Sequence, residues 1–160
     1  MKGCSFTGHR KISKDVVPRL EGLVMRAIEY AYGLGCRSFY CGGALGFDTM
    51  AAKAVILFRM RHSDVRLIII APCKEQSASW SARERDMYDY VMASADEIEL
   101  VSDEYTPDCM RKRNERLAQL CDIMIAYSGK QRSGSGQTVR MAERLGKPVY
   151  NLFMASETGS

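Results

Sequence analysis

The sequence predicts an α/β sandwich: one domain built on a doubly wound, mostly parallel sheet flanked by helices. Three observations carry this. Short apolar runs alternate with segments of helical period along nearly the whole chain. The strongest run, "VRLIIIAP" (65–72), is apolar enough to be buried on both faces, as in a parallel sheet. The connections are short, and no internal repeat, linker or low-complexity stretch interrupts the alternation.

The elements follow in order. "GCSF" is a brief first strand. From Asp15 to Tyr32, Val17, Leu20, Val24, Ala27, Ile28 and Ala31 form one helical stripe. Asp15 is placed to cap that helix, Pro18 falls in its first turn, and Gly33 and Gly35 end it. The second strand, "RSFYC", runs through "YCGGALGFDTMAA" into a helix bearing Phe47, Met50, Ala51, Ala54 and Phe58. "VRLIIIAP" is the third strand. Ser81 and Glu84 form a capping box before a helix with Met87, Tyr90 and Val91 inward. The strand "EIELVS", a helix opened by Thr106-Pro107, the strand "DIMIAY", a helix from about Gln137 and the strand "PVYNL" complete the series. Gly146 and Pro148 stop the last helix. Residues 1–153 are read as the domain and 154–160 as a frayed polar tail.

The 160 residues are 46% hydrophobic and 26% charged, an ordinary globular balance. A net charge of +4 permits a nucleic-acid partner without demanding one. "MKGCSFTGHR" lacks a signal-peptide core, and no apolar run reaches membrane-spanning length, so no membrane partner is expected. Six scattered cysteines without a Cys-x-x-Cys pair read as reduced thiols of a cytoplasmic protein. His9 and His62 are not spaced to complete a metal-ligand set, and no metal or cofactor is expected.

In an open parallel sheet, ligands bind beyond the carboxyl ends of the strands. The unusual stretches of this chain all fall just after strands: "TGHR", "CGGALGFD", "APCKEQ", "SDEYTPDC" and "YSGKQRSGSGQT". Their convergence marks a candidate site. Thr7, Gly8, His9 and Arg10 form the first loop, in which Arg10 suits an anion it can grip with two nitrogens. Gly42, Gly43 and Gly46 leave the second loop bare, followed by Asp48, an acid in a first helical turn. Ser133, Gly134, Ser135, Gly136 and Thr138 form an anion nest at a helix start. Arg113 and Asn114 project from or beside the apolar face marked by Met110, Leu117, Leu120 and Cys121, where a buried cation and amide need partners or a ligand. Trp80, with Gln76 nearby, is either a stacking platform or a core anchor.

Together "FTGHR", "CGGALGFDTMAAKAV", "APC" with Gln76 and Trp80, "YTPDCMRKRN" and "RSGSGQTVRMAERLGKPV" resemble the YpsA-like branch of the SLOG superfamily, from Cys4 to Asn151. That superfamily unites Rossmann-like proteins related to the DNA-processing protein DprA and the LONELY GUY (LOG) enzymes. The resemblance implies a Rossmann-like fold, a pocket for a nucleotide or nucleotide-derived small molecule, and a homodimer or higher homo-oligomer. It aligns Arg113 and Asn114 with an Arg-Asn pair of DprA, and Ser133, Gly134 and Ser135 with its Ser-Gly-Ser loop. It also implies that Gly42, Gly43 and Gly46 let a phosphate or ribose lie against the backbone.

The LOG motif Gly-Gly-x-Gly-Thr-x-x-Glu is not matched, because its Thr position is Gln137 and its Glu position is Arg140. Loss of that carboxylate removes the main electrostatic stabiliser of a nucleotide N-glycosidase. No Gly-Lys-Ser/Thr ending makes a P-loop. Three readings remain open: a binding protein that senses or sequesters an ADP-ribose-like or cyclic nucleotide, and a DprA-like binder of single-stranded nucleic acid using Arg111, Lys112, Arg113, Arg116, Lys130 and Arg132. The third is an N-glycosidase with a rearranged acid, Asp48, Glu75 or Glu143.

Overall fold

The computed structural model describes residues 2–129 and 133–157. Six strands, β1 (Lys2–Gly8), β2 (Cys36–Cys41), β3 (Arg66–Ala71), β4 (Glu97–Leu100), β5 (Ile123–Tyr127) and β6 (Val149–Asn151), form one sheet in the order β4-β3-β2-β1-β5-β6. Every pairing is parallel, so the expected mostly parallel sheet is parallel throughout. The helices between them are α1 (Val17–Gly33), α2 (Phe47–Arg59), α3 (Ala82–Ser94), α4 (Cys109–Leu120) and α5 (Gly134–Arg144). The chain steps outward from β1 to β4, then returns across the sheet to β5. With right-handed crossovers, this reversal puts α1, α2 and α3 on one face and α4 and α5 on the other.

β1 runs beyond the expected "GCSF" because it pairs on both sides, with β2 and β5. The α1 stripe buries Leu20, Val24, Ile28 and Ala31 as the periodicity requires. Its N-cap is Val16 and not Asp15, with no side-chain cap bond, because residues 14–16 already form a turn; Pro18 stays in the first helical turn. The capping box at Ser81 and Glu84 is present. Tyr88, one turn before Val91, faces inward in place of Tyr90, which is half exposed. α5 starts three residues earlier than expected, because the Ser133 hydroxyl accepts the Gly136 N–H and draws the glycines into the first turn. Phe153–Glu157 form a short helix, α6, where the sequence predicts a frayed tail.

The main core lies between the sheet and α1–α2, around Phe6, Phe39, Phe47, Leu67 and Ile69. A smaller cluster around Ala118, Cys121, Met124 and Ala142 joins α4 and α5 to the opposite face. All six cysteines are free and buried. No helix among the described residues is long and apolar enough to cross a membrane.

Candidate functional site

The strand order reverses between β1 and β5, whose last residues, Gly8 and Tyr127, pair side by side. Beyond that point the loops diverge and leave a crevice. A cavity of about 470 Å³ lies there. Thr7, Gly8, His9 and Arg10 line it from the end of β1, and Ala44 and Asp48 from the approach to α2. Met110, Arg111, Arg113, Asn114 and Leu117 face it from α4, and Ser133, Gly134, Ser135 and Gln137 from α5. Ten of the expected site residues thus meet at one opening.

Arg113 is the buried centre of the arrangement, 5% exposed. Its Nη1 donates to the Gly42 carbonyl at 2.6 Å and its Nε to Asn114 Oδ1 at 2.9 Å. Asp48 is buried beside it and accepts the Ala44 N–H at 3.3 Å. Burial pushes the Asp48 carboxyl up to about 6, and the Arg113 charge only partly reverses this. Burial lowers the Arg113 guanidinium, against the pull of Asp48. A buried cation next to a half-committed carboxylate in a cleft is the pattern expected where an anion or a proton is handled.

Gly42 makes room for this pair. A Cβ there would fall 2.6 Å from Arg113 Nη1 and 2.8 Å from Asp48 Oδ2. Gly43 and Gly46 hold φ values of +73° and +78°. A Cβ on Gly46 would collide with the carbonyls of His9 and Arg10, so loop packs on loop backbone to backbone. None of the three lines the cavity, and their bareness is filled by the protein's own atoms.

His9 ties the first loop to the fifth. Its Nε2 accepts the Gly129 N–H at 2.8 Å, which leaves the ring proton on Nδ1, 3.4 Å from Ser135 Oγ. Ser135 Oγ in turn donates to Ser128 Oγ at 3.1 Å. The ring meets Tyr127 and Phe153 edge-on. In this tautomer Nδ1 already holds its proton, so His9 is not set as a base toward Ser135.

The other expected residues lie elsewhere. Gln76 Nε2 donates to the Gly42 carbonyl at 3.3 Å, behind the cavity. Trp80 packs edge-on against Tyr88, its ring centroid 5.4 Å away. Gly136 and Thr138 are spent inside α5, Thr138 Oγ1 donating to the Gly134 carbonyl. Glu75 and Glu143 are exposed and do not line the cavity. Of the basic residues, Arg111 pairs with Glu115, Lys112 with Asp108 (3.3 Å) and Arg116 with both oxygens of Glu99 (2.7 and 3.1 Å). Lys130 and Arg132 lie outside the described residues. Sequence reasoning missed Ala44, Gln137 and the Ser128–Gly129 step. Only the Ser-Gly pair directly after a strand signalled any of them.

The YpsA family model, described as the YspA SLOG family, matches residues 11–153. YoqJ, an uncharacterised SPbeta prophage-derived protein of Bacillus subtilis (strain 168), is 28% identical over 156 residues, which cover 89% of this chain and 87% of YoqJ. A UPF0398 protein of Bacillus cereus (strain G9842) is 22% identical over 129 residues, which cover 79% of this chain and 61% of that protein. Among solved structures, DNA processing protein A of Helicobacter pylori, described for its single-stranded DNA binding mode, matches with a TM-score of 0.63 at 17% identity, over 92% of this chain and 63% of that one. DprA of Streptococcus pneumoniae matches with a TM-score of 0.64 at 19% identity, over 92% of this chain and 49% of that one. The chain therefore spans less than two thirds of that UPF0398 relative and of either DprA. At these identities the structural likeness establishes the fold.

Proposed function

The chain belongs to the YspA SLOG family, and from that premise we propose that it binds a nucleotide or nucleotide-derived ligand, ADP-ribose-like or cyclic, as a sensor or sequestering protein. One observation carries the reading: the cavity at the β1–β5 reversal gathers Arg10, the buried Arg113 and the start of α5 around one opening. Among the described residues the Gly134 and Ser135 N–H groups have no partner, and the helix dipole favours negative charge there. A phosphate at α5 and Arg10 leaves the ribose and base toward Met110 and Asn114. A homodimer in the cytoplasm is part of this reading.

The family and the DprA likeness also bear on single-stranded nucleic acid. Its supporting feature is Arg111 at the cavity wall. The pairing of Arg111, Lys112 and Arg116 with acids of the chain weakens it, since each pair lowers the charge offered to a phosphate backbone.

A thermal-shift series with mono- and dinucleotides, ADP-ribose, cyclic nucleotides and a short oligonucleotide tests the proposal, with Arg10→Glu as control because Arg10 is exposed. A ligand at one hundred times its Kd adds about 2.7 kcal/mol of stability. Stabilisation by one small nucleotide, lost in Arg10→Glu, is the expected result. Stabilisation by the oligonucleotide alone, steeply dependent on salt, favours the DprA-like reading. Release of free base that is lost in Asp48→Asn replaces binding with hydrolysis.

A further inference from the structure

The face built by α1 and α2 carries two contiguous cavities of about 670 and 980 Å³ that share Met25, Leu57 and Met60. About two dozen residues line them, in the range of about 20–30 that one side of a standard interface takes. Leu57 is 59% exposed and Met60 78%. Along α1, Glu21, Met25 and Glu29 recur every fourth residue and share one face; along α2 and the turn after it, so do Lys53, Leu57 and Arg61. All six line the two cavities. Glu21, Glu29, Lys53 and Arg61 are exposed, and none is in an ion pair within the described residues.

We propose that this face binds a second copy of the chain about a two-fold axis passing between Met25 and Leu57. α1 and α2 each follow a strand of a parallel sheet and run in the same direction. A two-fold axis lying in the interface, parallel to the helices and midway between them, lays α1 of one copy parallel over α2 of the other. Glu21 and Lys53 stand four residues before the central Met25 and Leu57, and Glu29 and Arg61 four after, about 6 Å along the helix. Glu21 therefore comes opposite Lys53 of the copy and Glu29 opposite Arg61. The same contacts repeat on the other side of the axis, as an isologous interface requires. The apolar residues close the centre and the opposite charges form the rim. Arg10 lines both the larger cavity and the candidate ligand site, so the interface reaches the rim of that site. The inference rests on the homodimer of the preceding reading and gives it a surface; it is independent of which ligand the cavity takes.

Sedimentation equilibrium on the full chain tests this, with circular dichroism to verify that each variant is folded. The wild type is expected to dimerise with a Kd at or below about 10 µM. Glu21→Arg/Glu29→Arg makes both helices basic, and Lys53→Glu/Arg61→Glu makes both acidic, so each variant alone is expected to sediment as a monomer. Mixed one to one, they are expected to recover the mass of two chains, because each basic helix then meets an acidic one. A monomeric wild type overturns both the homodimer and this interface. A dimeric wild type whose variants stay dimeric, or fail to recover on mixing, overturns this interface alone.

Discussion

The carbonyl of Gly42 accepts Nη1 of Arg113 at 2.6 Å, across 71 positions of sequence. This bond joins the loop after β2 to α4 and aims a buried cation at the cavity from behind. Gly42 is bare because Arg113 and Asp48 occupy the space a side chain would take.

Gly42→Ala is therefore expected to cost about 1–3 kcal/mol, the usual penalty for overpacking, because neither neighbour is a free side-chain end. Denaturant unfolding measures the loss, and a thermal-shift series on the same variant is expected to show weakened ligand binding as Arg113 is displaced. Unchanged stability would mean that Arg113 moves aside without cost.

Asp48 gives the protein a pH dependence of defined sign. Its carboxyl titrates near 6 in the folded chain, against 3.8 as its ordinary value, so the folded state holds this proton more tightly than the unfolded state. The contribution to stability is full below about pH 4 and is lost as pH rises through 6, by about 3 kcal/mol in all. Asp48→Asn is expected to abolish that slope in urea titrations between pH 4 and 7. An anionic ligand is expected to bind more tightly at pH 5 than at pH 8, since protonation removes a like charge from the cavity wall.

His9 holds the start of the fifth loop through the Gly129 N–H. His9→Ala deprives that amide of its acceptor; Gly129 is exposed, so water replaces the bond and the cost is about 0.5–1.5 kcal/mol. Hydrogen exchange at Gly129 is expected to accelerate more than exchange in the centre of β5. Equal acceleration at both would show global destabilisation in place of a local latch.

Lys147 Nζ donates to the carbonyls of Ala118 and Gln119, in the last turn of α4, and of Cys121 just beyond it, at 3.1, 2.9 and 2.5 Å. One charged group thus satisfies three carbonyls at the negative end of a helix dipole. Lys147→Met keeps the stem and removes these bonds, and is expected to lower stability by about 1–2 kcal/mol in thermal or urea unfolding. The cavity at the opposite end of the sheet is expected to keep its ligand affinity.

Much of the fold was legible because it is written locally. Leu20, Val24, Ile28 and Ala31 repeat at helical spacing, and the unbroken run at 67–71 can only be a buried strand in this context. Capping at Ser81 and Glu84 depends on residues three apart, and both bonds of the box form. The readings that changed depend on neighbours distant in sequence or on helix phase. Tyr88 turns inward beside Trp80 where Tyr90 was expected, and Asp15 gives way to Val16 as the end of a preceding turn. Phe153 begins a helix because it packs on Tyr127 and His9, contacts that no local pattern shows.

The succession of strands and helices, the parallel sense of the sheet and the edge at which the loops gather are written in the residues themselves. Periodicity, short connections and caps act over a few residues, so they can be read without the partners. The tertiary structure alone decided the order β4-β3-β2-β1-β5-β6, and with it the meeting of His9 with Gly129 and of Gly42 with Arg113. Those contacts close loops of about a hundred residues, and their geometry depends on how whole layers pack, which residue spacing does not encode. Three of the glycines that drew attention as places for a ligand are, for that reason, places where the protein meets itself.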